Sequence, residues 1–392
     1  MMRFLLGFTL IFSLHSAAQT LTARPLMGKT TGVLPYLKYG LGDDRLGGAK
    51  MSFIDTAVVM TVTDSTKDDF KVKLSHNHSA YIPKSNFVID TMLKPKLFYL
   101  SSSVISGGDS LTDYVSIMLD EKLPYRTIQQ INPSRIVLEI FGATSNTNWI
   151  TQRTTAREVK NIYYEQPEDD LFRLVIELNH PQHWGYSVFY KDKRLMVKIR
   201  RQPENLSLSN LKVAVDAGHG GDNSGASGRG TKIQEKKYTL LIAQELEKQL
   251  LLDSASVIMT RQSDSSVSMI ERQQYLQTQN PDFMVSIHLN SASNDSIKGV
   301  STYYRYIGFR PLSQHILKHL LGLGLKEFGN VGSFNFSLNG PTDYPNCLVE
   351  VAFLSNLEDE QLILDPEFRK AVAVEITEGI KEWLKECAKT NQ

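Results

Sequence analysis

Beyond residue 211 the chain alternates between short β-branched runs and longer stretches of helical periodicity, and few folds accommodate that pattern. The runs at 211–216, 256–260, 283–288, 299–304 and 347–353 are too short for helices and carry strand residue types. Between them Leu240, Ala243, Leu246 and Leu250 make one apolar stripe, 270–276 makes a shorter one, and 366–385 is amphipathic. Strands separated by helices need crossover connections, which places them mostly parallel in one sheet with helices on its faces. The expected fold class is α/β at 211–388, a mostly parallel sheet flanked by helices, preceded by all-β modules.

Upstream, apolar runs at 58–62, 70–74 and 80–83 are separated by turn residues and predict a small antiparallel β unit at 38–92. Its last run, Tyr81-Ile82-Pro83-Lys84-Ser85, resembles the final strand of bacterial SH3-like domains. Residues 100–200 carry an internal repeat. Val115-Ser116-Ile117 aligns with Leu174-Val175-Ile176, and Ile136-Val137-Leu138 with Leu195-Met196-Val197, at one offset of 59 residues. Two similar β units packed face to face would bury their apolar faces and make a sandwich. With Pro124-Tyr125 before one strand and Asn132-Pro133-Ser134-Arg135 opening the next, the pattern resembles the AMIN domain. That resemblance implies a non-catalytic, wall-targeting module of exported amidases. A short polar linker, Arg200 to Ser207, separates it from the α/β unit.

A chain of 392 residues is expected to form two or three domains. Its formal net charge of +1, without a long basic or acidic run, argues against a nucleic-acid partner. At the N-terminus Arg3 precedes an apolar stretch at 4–14, and Ser16-Ala17-Ala18 supplies small residues for a cut after Ala18. Residues 1–18 therefore read as a signal peptide, too short to span a bilayer as a mature helix, and no other segment reaches transmembrane length. The expectation is an exported protein of the periplasm or cell envelope. Cys347 and Cys387 allow one bridge in an oxidising compartment, with two separately buried thiols the plainer expectation.

The run Val213-Ala214-Val215-Asp216-Ala217 ends in Gly218-His219-Gly220-Gly221, where glycines let the backbone turn tightly enough to aim an imidazole. Glu235 opens the next helix and His288 ends the third strand. Functional groups of open α/β sheets gather beyond the carboxyl ends of the strands. His219, Glu235 and His288 are thus the candidate ligands of one Zn2+ ion. Two neutral imidazoles and a carboxylate leave one tetrahedral position open, as in catalytic sites. Glu350 stands inside the apolar run Cys347 to Phe353, where a carboxylate is costly unless paired or catalytic. It is the candidate acid/base, taking a proton from attacking water and returning it to a leaving amine.

These segments, with Gln234-Glu235-Lys236-Lys237, Thr260-Arg261, Glu271-Arg272, Ser286-Ile287-His288-Leu289-Asn290 and Leu348-Val349-Glu350, occur in one order over 212–384. They resemble the zinc-dependent N-acetylmuramoyl-L-alanine amidases of the Amidase_3 family. The resemblance implies hydrolysis of the amide between the lactyl group of N-acetylmuramic acid and L-alanine of the stem peptide. It assigns zinc to His219, Glu235 and His288 and the acid/base role to Glu350. Peptidoglycan is the implied partner, with a wall or septal protein reached through the AMIN-like module.

Asp216 is expected to orient His219 or cap the next element, and Arg261, Arg272 and Asn290 to support the ligands. Many members carry an arginine near the position of Asn339, so a substrate contact there is expected to differ. Regulated members insert a helix that plugs the zinc site. Here 291–303 is short and polar, which predicts no built-in plug. The rival readings are a wall-binding or activator protein on an inactive amidase fold, and a zinc peptidase acting within the stem peptide. His315 and His319 lie four residues apart, but Ile316 stands where a metalloprotease helix has glutamate, so they read as a solvated helix face. His183 falls in a polar, turn-like stretch.

Overall fold

The computed structural model describes residues 25–42, 46–96 and 98–389. The signal peptide expected at 1–18 lies outside them. Seven antiparallel strands between Leu26–Thr30 and Phe87–Ile89 form the first sheet, which starts ahead of residue 38. The opening strand pairs with both Val59–Ser65 and Phe87–Ile89, so it lies inside the sheet rather than at its edge.

The sandwich that follows corrects one expectation. The two sequence repeats do not each form a face. One sheet takes Tyr125–Ile131 and Ser134–Phe141 from the first repeat and Leu171–Leu178 and Val159–Glu168 from the second. The other joins Tyr99–Gly108 and Thr112–Leu119 to Arg194–Arg200 and Tyr186–Lys191. Repeats therefore meet strand to strand, Leu138 beside Leu174 and Val115 beside Val197. A lone hairpin leaves unpaired backbone groups at its edges, and exchanging hairpins pairs one edge of each with the other repeat. Ile136, Leu174, Leu195 and Val197 are buried between the sheets, and the same apolar cluster continues into Leu37, Val72 and Ile82 of the first sheet.

The C-terminal unit has the expected α/β architecture. Its strands are β1 (Lys212–Ala217), β2 (Ser256–Met259), β3 (Phe283–Asn290), β4 (Val300–Tyr303), β5 (Glu327–Val331) and β6 (Asn346–Phe353), in the order β2-β1-β3-β6-β4-β5. All neighbours are parallel except β4 and β6. β5 escaped the sequence reading because an exposed edge strand, Glu-Phe-Gly-Asn-Val, shows no alternation. The helices are α1 (Glu235–Leu252), α2 (Met269–Gln279), α3 (Arg310–Leu321), α4 (Leu357–Leu364) and α5 (Pro366–Lys389). On one face Ile242, Leu246, Ile316, Leu320, Ile376 and Ile380 cover Val213, Val285 and Val349. On the other, Leu276 of α2 packs with Ala214 and Met284. Burial on both faces explains why β1, β3 and β6 read as continuous apolar runs.

Trp184 of the sandwich packs at a tilt against Trp383 of α5 with ring centroids 5.2 Å apart. Trp383 Nε1 donates to Gln182 Oε1 at 3.0 Å, and Gln182 Nε2 donates to the Gly308 carbonyl at 2.8 Å. His183 between them is 1% exposed, so its stretch is a packed seam, not a polar turn. Cys347 and Cys387 are both buried as separate thiols. Among the described residues no helix is long and apolar enough to cross a membrane.

Candidate metal centre

Three turns of chain meet beyond the carboxyl ends of β1 and β3. Gly218 still pairs with β3 through its N–H to the Ile287 carbonyl, 3.0 Å. A Cβ at Gly218 would sit 2.4 Å from the His288 ring, so only glycine lets that imidazole lie against the backbone. His219 itself adopts a left-handed conformation, φ 62°. That conformation strains a non-glycine residue and needs external support.

Two arginines supply it. Arg261 donates to the carbonyls of Ala217 (2.9 Å) and Gly218 (2.8 Å). Arg272 donates to those of Ala217 (2.7 Å) and His219 (2.5 Å). Arg272 is in turn held by Asp216, Nη1 to Oδ1 2.5 Å, with both side chains buried. The hydroxyls of Thr260 and Ser286 each donate to Asp216 at 2.6 Å. Burial raises the Asp216 carboxyl, but Arg272 and the two hydroxyls outweigh it and leave it lowered. Asp216 therefore acts on His219 through Arg272 and the backbone, not by touching the ring.

Glu235 is the first residue of α1, where the helix dipole favours a carboxylate. Its Oε2 accepts from Ala226 N at 2.7 Å and its Oε1 from Leu289 N at 3.0 Å. The same Oε1 lies 3.0 Å from His219 Nε2 and 3.1 Å from His288 Nδ1. One donor atom from each residue falls within 4.8 Å of the others, the only such trio of His, Cys, Asp or Glu among the described residues. Burial disfavours the Glu235 charge, yet the hydrogen bonds from His219 and His288 hold it well below the usual carboxylate range. Burial also works against a charged His219, and Glu235 overcomes it and raises that ring.

Asn223 was missed in the sequence. Its Oδ1 faces His219 Nδ1 at 2.9 Å, which turns Nε2 toward Glu235. Such partners of ligand imidazoles set tautomer and ring angle. The available signal was an asparagine four residues after the histidine in the glycine turn.

The register of β3 and β6 puts His288 directly beside Glu350, whose side chain is buried to 7% exposure. Both line a cleft of about 680 Å³ with His219, Glu235, Phe334 and Phe336. Phe336 meets the His288 ring edge-on, centroids 5.4 Å apart. Leu46, from the first sheet's module, lies on the same cleft. Asn339 does not: it is fully buried and donates to Asn346 Oδ1 at 3.1 Å. Asn290 reaches the Tyr303 hydroxyl, 3.2 Å, at the cleft's edge. Residues 291–299 form bends and turns. His315 and His319 lie far along α3, where they face glutamates of α5.

A trio of two imidazole nitrogens and one carboxylate oxygen, Glu235 and His288 buried and His219 half-buried, set at the strand ends of an α/β sheet, is a site of the kind that holds a single metal ion. Residues 213–382 match the model of the Amidase_3 family, N-acetylmuramoyl-L-alanine amidase, and residues 106–199 match that of the AMIN domain. The C-terminal unit is thus similar to the Amidase_3 family and follows a segment similar to the AMIN domain. The probable cell wall amidase LytH of Staphylococcus saprophyticus is 30% identical over 193 residues, 49% of this chain and 65% of that protein. The Staphylococcus aureus counterpart is 31% identical over 180 residues, 45% and 60% of the two chains. The match thus spans less than two thirds of these relatives. The catalytic domain of CwlV, N-acetylmuramoyl-L-alanine amidase of Bacillus (Paenibacillus) polymyxa var. colistinus, is 32% identical. It matches 45% of this chain and 98% of its own, with a TM-score of 0.43.

Proposed function

We propose that this chain is a zinc-dependent peptidoglycan amidase that cleaves the bond between the lactyl group of N-acetylmuramic acid and L-alanine of the stem peptide. The observation that carries the reading is the convergence of His219 Nε2 and His288 Nδ1 on Glu235 Oε1, with Glu350 on the adjacent strand. That donor set suits zinc, which His219, Glu235 and His288 would hold. Zinc held there supplies Lewis-acid polarisation of the amide carbonyl and lowers the pKa of a water molecule toward about 7.

The chain's own residues do the rest. Asn223 orients His219, Glu235 faces both imidazoles, and the two arginines hold the backbone of 217–219. Glu350 takes the proton from the attacking water and hands it to the leaving nitrogen, which departs as the free amine of L-alanine. Phe334 and Phe336 exclude water from one side of the cleft. The AMIN domain and the first sheet hold the enzyme at the wall, and residues 1–18 direct it out of the cytoplasm. Residues 291–299 form bends and turns rather than a plugging helix, so the full chain is expected to work without an activator, and silence until a partner protein is added would overturn this.

Digestion of purified wall followed by mass spectrometry tests this. The expected products are stem peptides with free L-alanine N-termini and peptide-free glycan. Cuts within the stem peptide would replace the reading with a peptidase. Glu350→Gln should lower turnover by about 10²- to 10⁴-fold with zinc content unchanged. Equal release by variant and wild type would sink the mechanism. Chelation should stop release and added zinc restore it.

A further inference from the structure

The cleft of the C-terminal unit is not closed by that unit alone. Residues 332–340 leave β5, carry Phe334 and Phe336 past the His288 ring, and return through a short 3-10 turn at Ser337–Asn339. At the tip of this excursion stands Asn335, and its partners belong to another module. Asn335 Oδ1 accepts from the Lys50 N–H at 3.1 Å, and Asn335 Nδ2 donates to the Gly48 carbonyl at 3.2 Å. Lys50 Nζ donates to Ser337 Oγ at 3.2 Å, and Arg305 donates to the Lys50 carbonyl. Lys50–Phe53 is an edge strand of the seven-stranded sheet, so its outward backbone groups need a partner. Here the aromatic loop of the metal cleft supplies it. Farther along, Phe53 packs so closely on Gly340 that a Cβ there would lie 2.8 Å from the ring.

We propose that this edge of the N-terminal sheet is a positioning element of the cleft: through Asn335 it holds Phe334 and Phe336 in place, and so sets how tightly substrate is gripped beside the scissile amide. The inference rests on the amidase reading above. The N-terminal sheet then shapes the active cleft, in addition to any role in wall binding. Asn335 touches neither the metal ligands nor Glu350. It acts through the phenylalanines it flanks, and its loss should weaken binding while leaving the proton-transfer step alone.

The test uses the full chain, with Asn335→Ala and Asn335→Asp, the latter retaining the acceptor for Lys50 N. Asn335→Ala should speed amide hydrogen exchange across 332–340 and raise KM for a soluble muropeptide about tenfold. kcat, zinc content and Tm should stay near wild type, and Asn335→Asp should fall between. Unchanged exchange in Asn335→Ala overturns the proposal, as does faster exchange with KM unmoved. A fall in kcat and Tm together, with KM unmoved, would mark a merely structural contact. If the wild type cleaves no muropeptide while exchange still responds to Asn335→Ala, the amidase reading fails and the buttress stands.

Discussion

Two histidine pairs among the described residues face glutamate, and only one of them closes on a single oxygen. His219 and His288 come from separate strand ends and converge on a single oxygen of Glu235, with Glu235 and His288 almost completely buried. His315 and His319 lie one turn apart on α3 and spread over three glutamates of α5. His319 Nε2 is 2.8 Å from Glu382, His315 Nε2 is 2.6 Å from Glu386, and His319 Nδ1 is 3.3 Å from Glu375. Lys318 and His319 hold Glu382 down at about 2, as expected of an exposed, neutralised cluster. Residue types are the same in the two places. What differs is closure: backbone clamps and burial force the first pair's donors onto one oxygen, whereas on the helix faces the contacts spread over three glutamates and Lys318 competes for Glu382. Exposed pairs of that sort contribute about 0–1 kcal/mol each.

The contrast is sharpest for the metal. His288→Ala should abolish zinc binding and wall digestion together, while His315→Gln with His319→Gln should leave zinc content and turnover within about twofold. Elemental analysis beside the digestion assay decides it, and loss of zinc in the helix double variant would break the comparison. Asn223→Ala comes next, with zinc affinity falling about 10- to 100-fold, read by competition with a chelating dye. Arg272→Met should cost about 3–5 kcal/mol in denaturant unfolding, because Asp216 then keeps a buried charge with no countercharge and only the Thr260 and Ser286 hydroxyls to offset it.

A third histidine supplies the smallest effect. His183 is buried at the seam with no facing carboxylate, and burial lowers its pKa to about 4, partly countered by the Gln130 carbonyl. A ring kept neutral in the fold contributes stability above its unfolded value near 6.5 and loses it as pH falls toward 4. The slope is at most about 1.4 kcal/mol per pH unit in that window. His183→Gln should flatten the slope in pH-dependent unfolding, and an unaltered slope would remove His183 as its source.

The alternation of apolar runs and helical stripes was enough to recognise the α/β sheet, because β1, β3 and β6 are buried on both faces and must be apolar throughout. Glu350 stood out for the same reason, as a charge inside such a run. Edge and surface elements were illegible: β5 has water on one side and a glycine at its centre, and nothing periodic marks it. The repeat in the sandwich was visible as spacing, but spacing does not say which hairpin pairs with which.

Local chemistry therefore determined the ligand types, the glycine turn and the strands that carry them, since all depend on neighbours in sequence. Convergence is a different matter. That Asp216 works through Arg272, and that Asn335 ties the aromatic loop to Lys50, depend on residues brought together from far along the chain. Asn335 and Lys50 are 285 positions apart. A hydrogen bond of that range leaves no period and no motif, because its direction is set only when two separately folded sheets dock.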